Sequence, residues 1–234
     1  MLPGTVAPVI LGRSTREDPM PLTPTLAEAT ATGRRRISGG WAALGLAIAL
    51  VLGAGGWNLY DIHARYRLGT VAQGQVYQSG VMPTNHLQKM AKELGLRSVI
   101  DLRTSTPGQD STNTTGLEII RAEASALSAI GVRHIHLPTP QVPSEETVDR
   151  FLRAISDPAN RPALIHCYHG IGRTELFVAI YRMEFEQWPN EKARAATRLL
   201  LAGSSFSDQA EKGRFLIHYK PHFAQLAPER LKQP

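Results

Sequence analysis

Nine residues, HCYHGIGRT from His166 to Thr174, leave the backbone little choice. They follow a short apolar run, Ala163 to His166. They precede a segment in which Leu176, Phe177, Ile180, Met183 and Phe185 fall along one side of a helix. The order is therefore strand, tight loop, helix. Such a loop gathers backbone N–H groups around a concavity at a helix N-terminus, and that concavity binds anions. Gly170 and Gly172 permit a sharp turn and close approach of backbone to ligand. Arg173 offers a forked guanidinium that holds two oxygens of a tetrahedral anion. Cys167 is the only cysteine of the chain. It stands at the loop base, where N–H dipoles and the arginine favour the nucleophilic thiolate. The residues read as a phosphate cradle made by Tyr168, His169, Gly170, Ile171, Gly172 and Arg173. In it Cys167 attacks phosphorus in line, forming a cysteinyl-phosphate that water then hydrolyses.

The rest of the C-terminal two-thirds alternates strand and helix. A short strand is expected at Val76–Tyr77, and a helix over 86–94 capped by Thr84 or Asn85 and closed by Gly95. A buried strand follows at Ser98–Leu102. Residues 104–116 are polar and read as a loop. A helix then stops near Gly131, and VRHIHLP forms another strand. Ser144 caps a helix with Glu145 and Glu146 in its first turn, running to about Ile155. After the loop come the helix Arg173–Phe185, a helix from Pro189 to near Gly203, and a last helical region after Ser207. This alternation predicts a three-layer α/β domain with a mostly parallel central sheet flanked by helices.

The N-terminal third is of another kind. Residues 1–40 are rich in Pro, Thr, Ala, Gly and Arg, with no sustained periodicity, and read as a disordered basic segment. Trp41 to Trp57 carries no charge, and the apolar character continues to Tyr60 with Asn58 as the exception. As a helix those uncharged residues span ~26 Å, enough for a thin bilayer. Trp41, Trp57 and Tyr60 stand where interfacial aromatics belong. The expected organisation is a basic segment (1–40), a single transmembrane anchor (41–60) and a catalytic domain (61–234). Arg34–Arg36 form the larger flanking basic cluster, so the N-terminus is expected in the cytoplasm of a bacterial inner membrane and the domain in the periplasm. A cleaved leader ending near Gly53-Ala54-Gly55 is the rival reading.

Cys167, five intervening residues and Arg173 resemble the C-x5-R signature of the cysteine-dependent protein tyrosine and dual-specificity phosphatases. His166 matches the residue before their nucleophile, and Thr174 the hydroxyl that helps the thiolate leave the phosphoenzyme. The resemblance runs over roughly residues 70–220. VYQSGVMP, LGLRSVIDLR, NRPALIHCYHG and YRMEFEQWPNEKA are similar to the compact bacterial and fungal branch, which acts on phosphotyrosine or inositol phosphates. It implies a structural role for Asp101 in placing the loop. It also implies a general acid from a segment about thirty residues before the cysteine. That segment, HLPTPQVPSEE, has no Asp, and Glu145 is the candidate acid, with Glu146, His136 and Asp208 as lesser ones. Two further departures stand out. Glu175 replaces the usual Gly after the Thr, and Ile171 stands where inositol-lipid phosphatases carry a lysine. The rim is therefore expected to lack that fixed charge, which counts against a highly phosphorylated inositol, and the missing Asp favours a leaving group that needs no acid, that of an aryl phosphate such as phosphotyrosine or of an acidic anhydride.

The net charge of +6 suits anionic partners. No basic helical stripe suits a nucleic-acid groove. One cysteine excludes a disulfide framework or CxxC pair. His63, His86, His134 and His218 lack zinc-ligand spacing, so neither metal nor cofactor is expected. The expected partner is a phosphorylated protein or small phosphomonoester, with a lipid phosphate within reach of an anchored domain. A phosphate-binding module without catalysis, and sulfur transfer of the rhodanese kind, are the competing functions.

Overall fold

A computed structural model describes residues 39–105 and 116–223. Most of the disordered segment expected over 1–40 and most of the polar loop expected over 104–116 lie outside the described residues; Gly39 and Gly40, the described end of the former, are instead the first residues of a helix. The chain divides into two compact units, Met1–Ile48 and Ala49–Pro234. The described part of the first is the start of helix α1 (Gly39–His63). Leu44, Leu46, Ile48, Leu50 and Leu52 of this helix are all exposed. Among the described residues it is the one helix long and apolar enough to cross a membrane.

The second unit is built on a five-stranded sheet ordered β1-β2-β5-β3-β4, with β1 Gly69–Ala72, β2 Val76–Ser79, β3 Ser98–Asp101, β4 Arg133–His136 and β5 Ala163–His166. β1 pairs antiparallel with β2; every other pairing is parallel. Alternation along the central strands sorts side chains to two cores. Tyr77, Val99 and Leu164 pack with Leu87, Met90 and Leu127 of α2 (Thr84–Glu93) and α3 (Leu117–Ser128). Val76, Ile100 and Ile165 pack with Phe151 and Leu152 of α4 (Glu145–Ser156) and Phe177 and Ile180 of α5 (Arg173–Phe185). Each of these large apolar side chains contributes about 1.5–3 kcal/mol by leaving water. The layers are thus helix, sheet, helix, as expected.

Four differences from the expected elements have physical reasons. Strand β1 was not foreseen; it is a short edge strand, half exposed, with no apolar run to mark it. Helix α2 starts at Thr84 after Pro83, which acts as N-cap residue with no side-chain bond, whereas Ser144 does cap α4 by accepting from Thr147 N at 3.2 Å. α5 is buried all round rather than on one side, because α6 (Asn190–Ala195) and α7 (Glu211–His218) cover its outer face. The helix expected through Gly203 ends at Ala195. Beyond it Leu199 and Leu200 lie in solvent, and Arg198 turns back to the loop after β5.

Parallel pairing of β2, β5, β3 and β4 brings their C-terminal ends to one edge. Ligands in such sheets sit outside that edge. The segments that leave it are 80–83, 102–105, 137–144 and 167–172.

Candidate active site

The loop from Cys167 to Gly172 is anchored by its carbonyl groups. Val81 N donates to Tyr168 O at 3.0 Å. Arg67 Nη1 donates to His169 O at 2.6 Å. Arg198 Nη2 donates to Ile171 O. A trans peptide points its N–H opposite to its C=O, so three outward carbonyls turn the N–H groups of His169, Gly170 and Gly172 inward. One of these is seen at work: Gly170 N donates to Cys167 Sγ at 3.3 Å. An N–H bond of this kind stabilises sulfur as the anion. Gly170 has φ +73°, and a Cβ there would meet Gly80 N at 2.6 Å, so only glycine fits.

Cys167 and Arg173 are both buried, and both line a cavity of about 200 Å³. Arg173 Nη1 donates to Leu102 O at 2.9 Å and to Thr139 O at 3.2 Å. The guanidinium is thereby tied to the segments that leave β3 and β4. Thr174 is fully buried, and its Oγ1 has no hydrogen-bond partner among the described residues. A buried hydroxyl in that condition is costly and is commonly explained by a catalytic role.

The rim corrects an expectation. Ile171 does leave the loop without its own cation, but Arg198 and Lys212 line the cavity from outside the loop, with Gln141 and Ser205. Lys212 Nζ bonds to Gln141 Oε1. Glu175 accepts from Gln78 Nε2 at 2.8 Å and does not line the cavity. Burial raises its pKa, while the hydrogen bond from Gln78 and the charges of Arg198 and Arg182 oppose the rise.

Behind Cys167 lies a buried ionic cluster. Asp101 accepts from Arg103 N, Nε and Nη2 at 2.9, 2.9 and 2.7 Å. Glu123 stands 2.8 Å from Arg103 Nη2 and 3.0 Å from His166 Nε2. His134 Nε2 is 3.4 Å from both carboxylates. Burial alone would raise the pKa of Asp101, but His166, His134 and Arg103 hold it well below the usual range. The same balance brings Glu123 to about 2, with His166 the largest opposing influence. Burial would lower the pKa of His134, yet hydrogen bonding to Asp101 and Glu123 raises it to about 9. Asp101, Glu123 and His166 each bring a ligand atom within 4.8 Å of the others, as a metal site would. Arg103 and the protonated His134 together set two positive charges against the two carboxylates, so the cluster holds its own cations.

The structure brings Cys167, Tyr168, His169, Ile171, Gly172 and Arg173 around one cavity, with Gly170 on the sulfur. His166 and Asp101 lie in the cluster beneath. Glu145 is placed elsewhere: it lines a separate groove of about 800 Å³ with Val142, Phe215 and Tyr219. The first turn of α4 faces that groove, so Glu145 does not line the Cys167 cavity. His136 Nε2 is bonded to Arg103 O, and Asp208 is exposed outside the cavity. Sequence reasoning missed Arg67, Arg103, Glu123, Gln141, Arg198 and Lys212. Arg103 closes the LGLRSVIDLR run and Gln141 lies within HLPTPQVPSEE, but no spacing there marks either, and the other four stand outside any motif.

Residues 64–213 match the family described as "DSP-PTPase phosphatase fused to NAD+ Kinase". A probable NAD kinase 2, chloroplastic, of Oryza sativa subsp. japonica is 31% identical over 104 residues, 44% of this chain and 10% of that protein. The chain thus spans about a tenth of that relative. The core catalytic domain of the PP-IP phosphatase SIW14 from S. cerevisiae has 19% identity and a TM-score of 0.54, over 71% of this chain and 94% of that one. TpbA of P. aeruginosa, also solved in complex with pTyr, has 21% identity and a TM-score of 0.52, over 70% of this chain and 91% of its own. These two share the fold. With its family match covering well over half of the sequence, and with strand, cysteine loop and helix arranged as above, the chain belongs to the DSP-PTPase phosphatase family fused to NAD+ kinase.

Proposed function

We propose that the chain hydrolyses phosphomonoesters through a cysteinyl-phosphate, acting on phosphotyrosine or another aryl phosphate. The observation that carries this is the Gly170 N–H on Cys167 Sγ, inside a loop whose carbonyls are tied outward. The inward amides and Arg173 hold the three non-bridging oxygens. The thiolate attacks phosphorus opposite the leaving oxygen, and charge grows on oxygens already facing N–H donors. Thr174 Oγ1 then donates to sulfur as water releases the phosphate. The His166 cluster acts from below by fixing the strand end that carries the nucleophile. The cysteine-loop phosphatases of known structure give two substrate precedents. TpbA binds pTyr, and SIW14 is a PP-IP phosphatase.

The test is phosphate release by the full chain from p-nitrophenyl phosphate and a phosphotyrosine peptide, with trapping of phosphate on sulfur. Cys167→Ser is expected to abolish both turnover and the trapped adduct. Turnover that survives this change would remove the reading. Two specific observations favour second readings. No carboxylate lines the cavity among the described residues, which suits a phosphate-binding module of weak activity; that module would bind phosphate without release. Arg198 and Lys212 on the rim suit a substrate with more than one phosphate, so inositol phosphates and phosphoinositide vesicles belong in the same panel.

We further propose that residues 41–60 within α1 anchor the chain in a bacterial inner membrane, and that residues 61–234 form the catalytic domain in the periplasm. The apolar length of α1 and the basic cluster before it support this organisation.

A further inference from the structure

Beside the mouth of the anion cavity stands an apolar tip. Between α6 and α7 the chain leaves Leu199 fully exposed and Leu200 72% exposed. The tip rises from a fixed base. Thr197 Oγ1 donates to Arg194 O at 2.8 Å, and Arg194 Nη1 donates to Phe206 O at 3.0 Å. Ser204 N donates to Leu201 O at 3.0 Å. Leu201 packs against the core, and Phe206 is wholly buried in it. Arg198 and Ser205, which flank the two leucines in the chain, both line the cavity. Exposed leucines scattered singly are ordinary. These two are adjacent, and the cavity rim beside them carries exposed Tyr168 and Ile171. Ile171 is joined to the base of the tip through the bond from Arg198 Nη2 to its carbonyl. Tip and rim thus form one apolar edge.

The charge along this edge is positive. Arg198 stands at the tip, and Arg67 bonds to His169 O on the same loop. Burial lowers the Arg198 pKa; Glu175 opposes the fall, and the nearby charge of Arg67 adds to it. Both side chains stay cationic, because a guanidinium does not release its proton. Apolar side chains that stand clear of a domain between arginines match an anionic bilayer surface. The leucines enter the boundary of headgroups and acyl chains, and the cations meet lipid phosphates. A protein partner would have to supply a pocket for the tip, whereas a bilayer needs none. The net charge of +6 and the apolar α1 of the same chain favour the bilayer. We propose that Leu199 and Leu200 insert into an anionic phospholipid surface, with Arg198 and Arg67 at the level of its phosphates and the Cys167 cavity opening toward the headgroups. This docking needs neither turnover at Cys167 nor a bilayer-spanning α1.

The experiment places one polarity-sensitive fluorophore on the full chain. Cys167→Ser removes the native thiol, and Leu199→Cys supplies the labelling site. Lys89→Cys, on the exposed face of α2, is the control position. Each labelled chain is reconstituted into vesicles of phosphatidylcholine alone, or of phosphatidylcholine and phosphatidylglycerol in equal parts, with and without a spin-labelled lipid as quencher. In the vesicles with phosphatidylglycerol, the probe at 199 is expected to shift to shorter wavelength and to be quenched. In phosphatidylcholine the shift should be small, and high salt should reduce the anionic-vesicle signal. The probe at 89 should respond in neither. Leu200→Ser in the labelled chain should weaken the quenching without moving the thermal midpoint, since that side chain is exposed. A probe at 199 that stays in water, an equal response at 89, or an equal response in both lipids overturns the proposal. So does a shift already present in detergent that grows with protein concentration, which would assign the tip to a second copy of the chain. Hydrogen exchange of residues 197–205 in the unlabelled chain decides the matter if the labelled chain does not fold. Phosphatidylglycerol vesicles should slow it in wild type and not in a Leu199→Ser, Leu200→Ser variant, and equal exchange in the two overturns the proposal.

Discussion

Arg67 shows how a single side chain outside a motif sets what the motif can do. It leaves the turn after α1 with φ +53° and reaches His169 O, 102 residues away. Together with Arg198 and Val81 N it keeps the loop carbonyls out and the amides in. Without Arg67 the peptide between His169 and Gly170 is free to turn, and the N–H on Cys167 Sγ is the first interaction lost. Arg67→Gln is expected to lower kcat/KM on an aryl phosphate about 10-fold, the worth of one charge-assisted hydrogen bond at a partly exposed site. Thermal stability should change little, because the residue packs against no core. Kinetics within twofold of wild type would show that the loop holds its shape unaided.

Among the elements, β3, β4, β5 and α3 meet at the buried cluster of Asp101, Arg103, Glu123, His134 and His166. Folding raises the His134 pKa from 6.5 to about 9. The stability this gives is fully present below pH 6.5 and is lost as pH rises through about 9. Folding lowers the Glu123 pKa from 4.5 to about 2, so its share is present above pH 4.5 and is lost as pH falls toward 2. His134→Gln is expected to destabilise the protein at pH 6 by about 3 kcal/mol, since two buried carboxylates lose a cation. The gap from wild type should narrow between pH 6.5 and 9. Denaturant unfolding at several pH values measures this. A gap that does not change with pH would mean that His134 is not a protonated member of the cluster.

For the whole molecule, the open matter is where the domain works. Helix α1 ends at His63, and Arg67 already touches the anion loop. The full chain is expected to sediment with bacterial membranes and to resist high salt, whereas a chain starting at residue 64 should be soluble. A reporter fused at the C-terminus should be active in the periplasm. Recovery of the full-length chain in the soluble fraction would end the proposal of an anchor, and a reporter active only in the cytoplasm would reverse the topology.

Much of the domain was legible locally. Strand β5, helix α5, the Ser144 cap and the turns at Gly95 and Gly131 follow from apolar period and backbone permission, which are properties of a few adjacent residues. The nucleophile and its arginine were legible for the same reason, since the seven consecutive residues Cys167 to Arg173 carry both. The short edge strand β1 and the early end of α6 were not, because neither has a pattern that outweighs its surroundings. Nor were Lys212, Gln141, Arg198 and Glu123. They come from α7, two connecting segments and α3. Parallel pairing delivers the chain to one sheet edge from several directions, and only the folded topology decides which distant side chains arrive there. Thus residues 163–174 by themselves determined the anion loop with its cysteine and arginine, whereas tertiary structure decided which distant charges line the cavity around them.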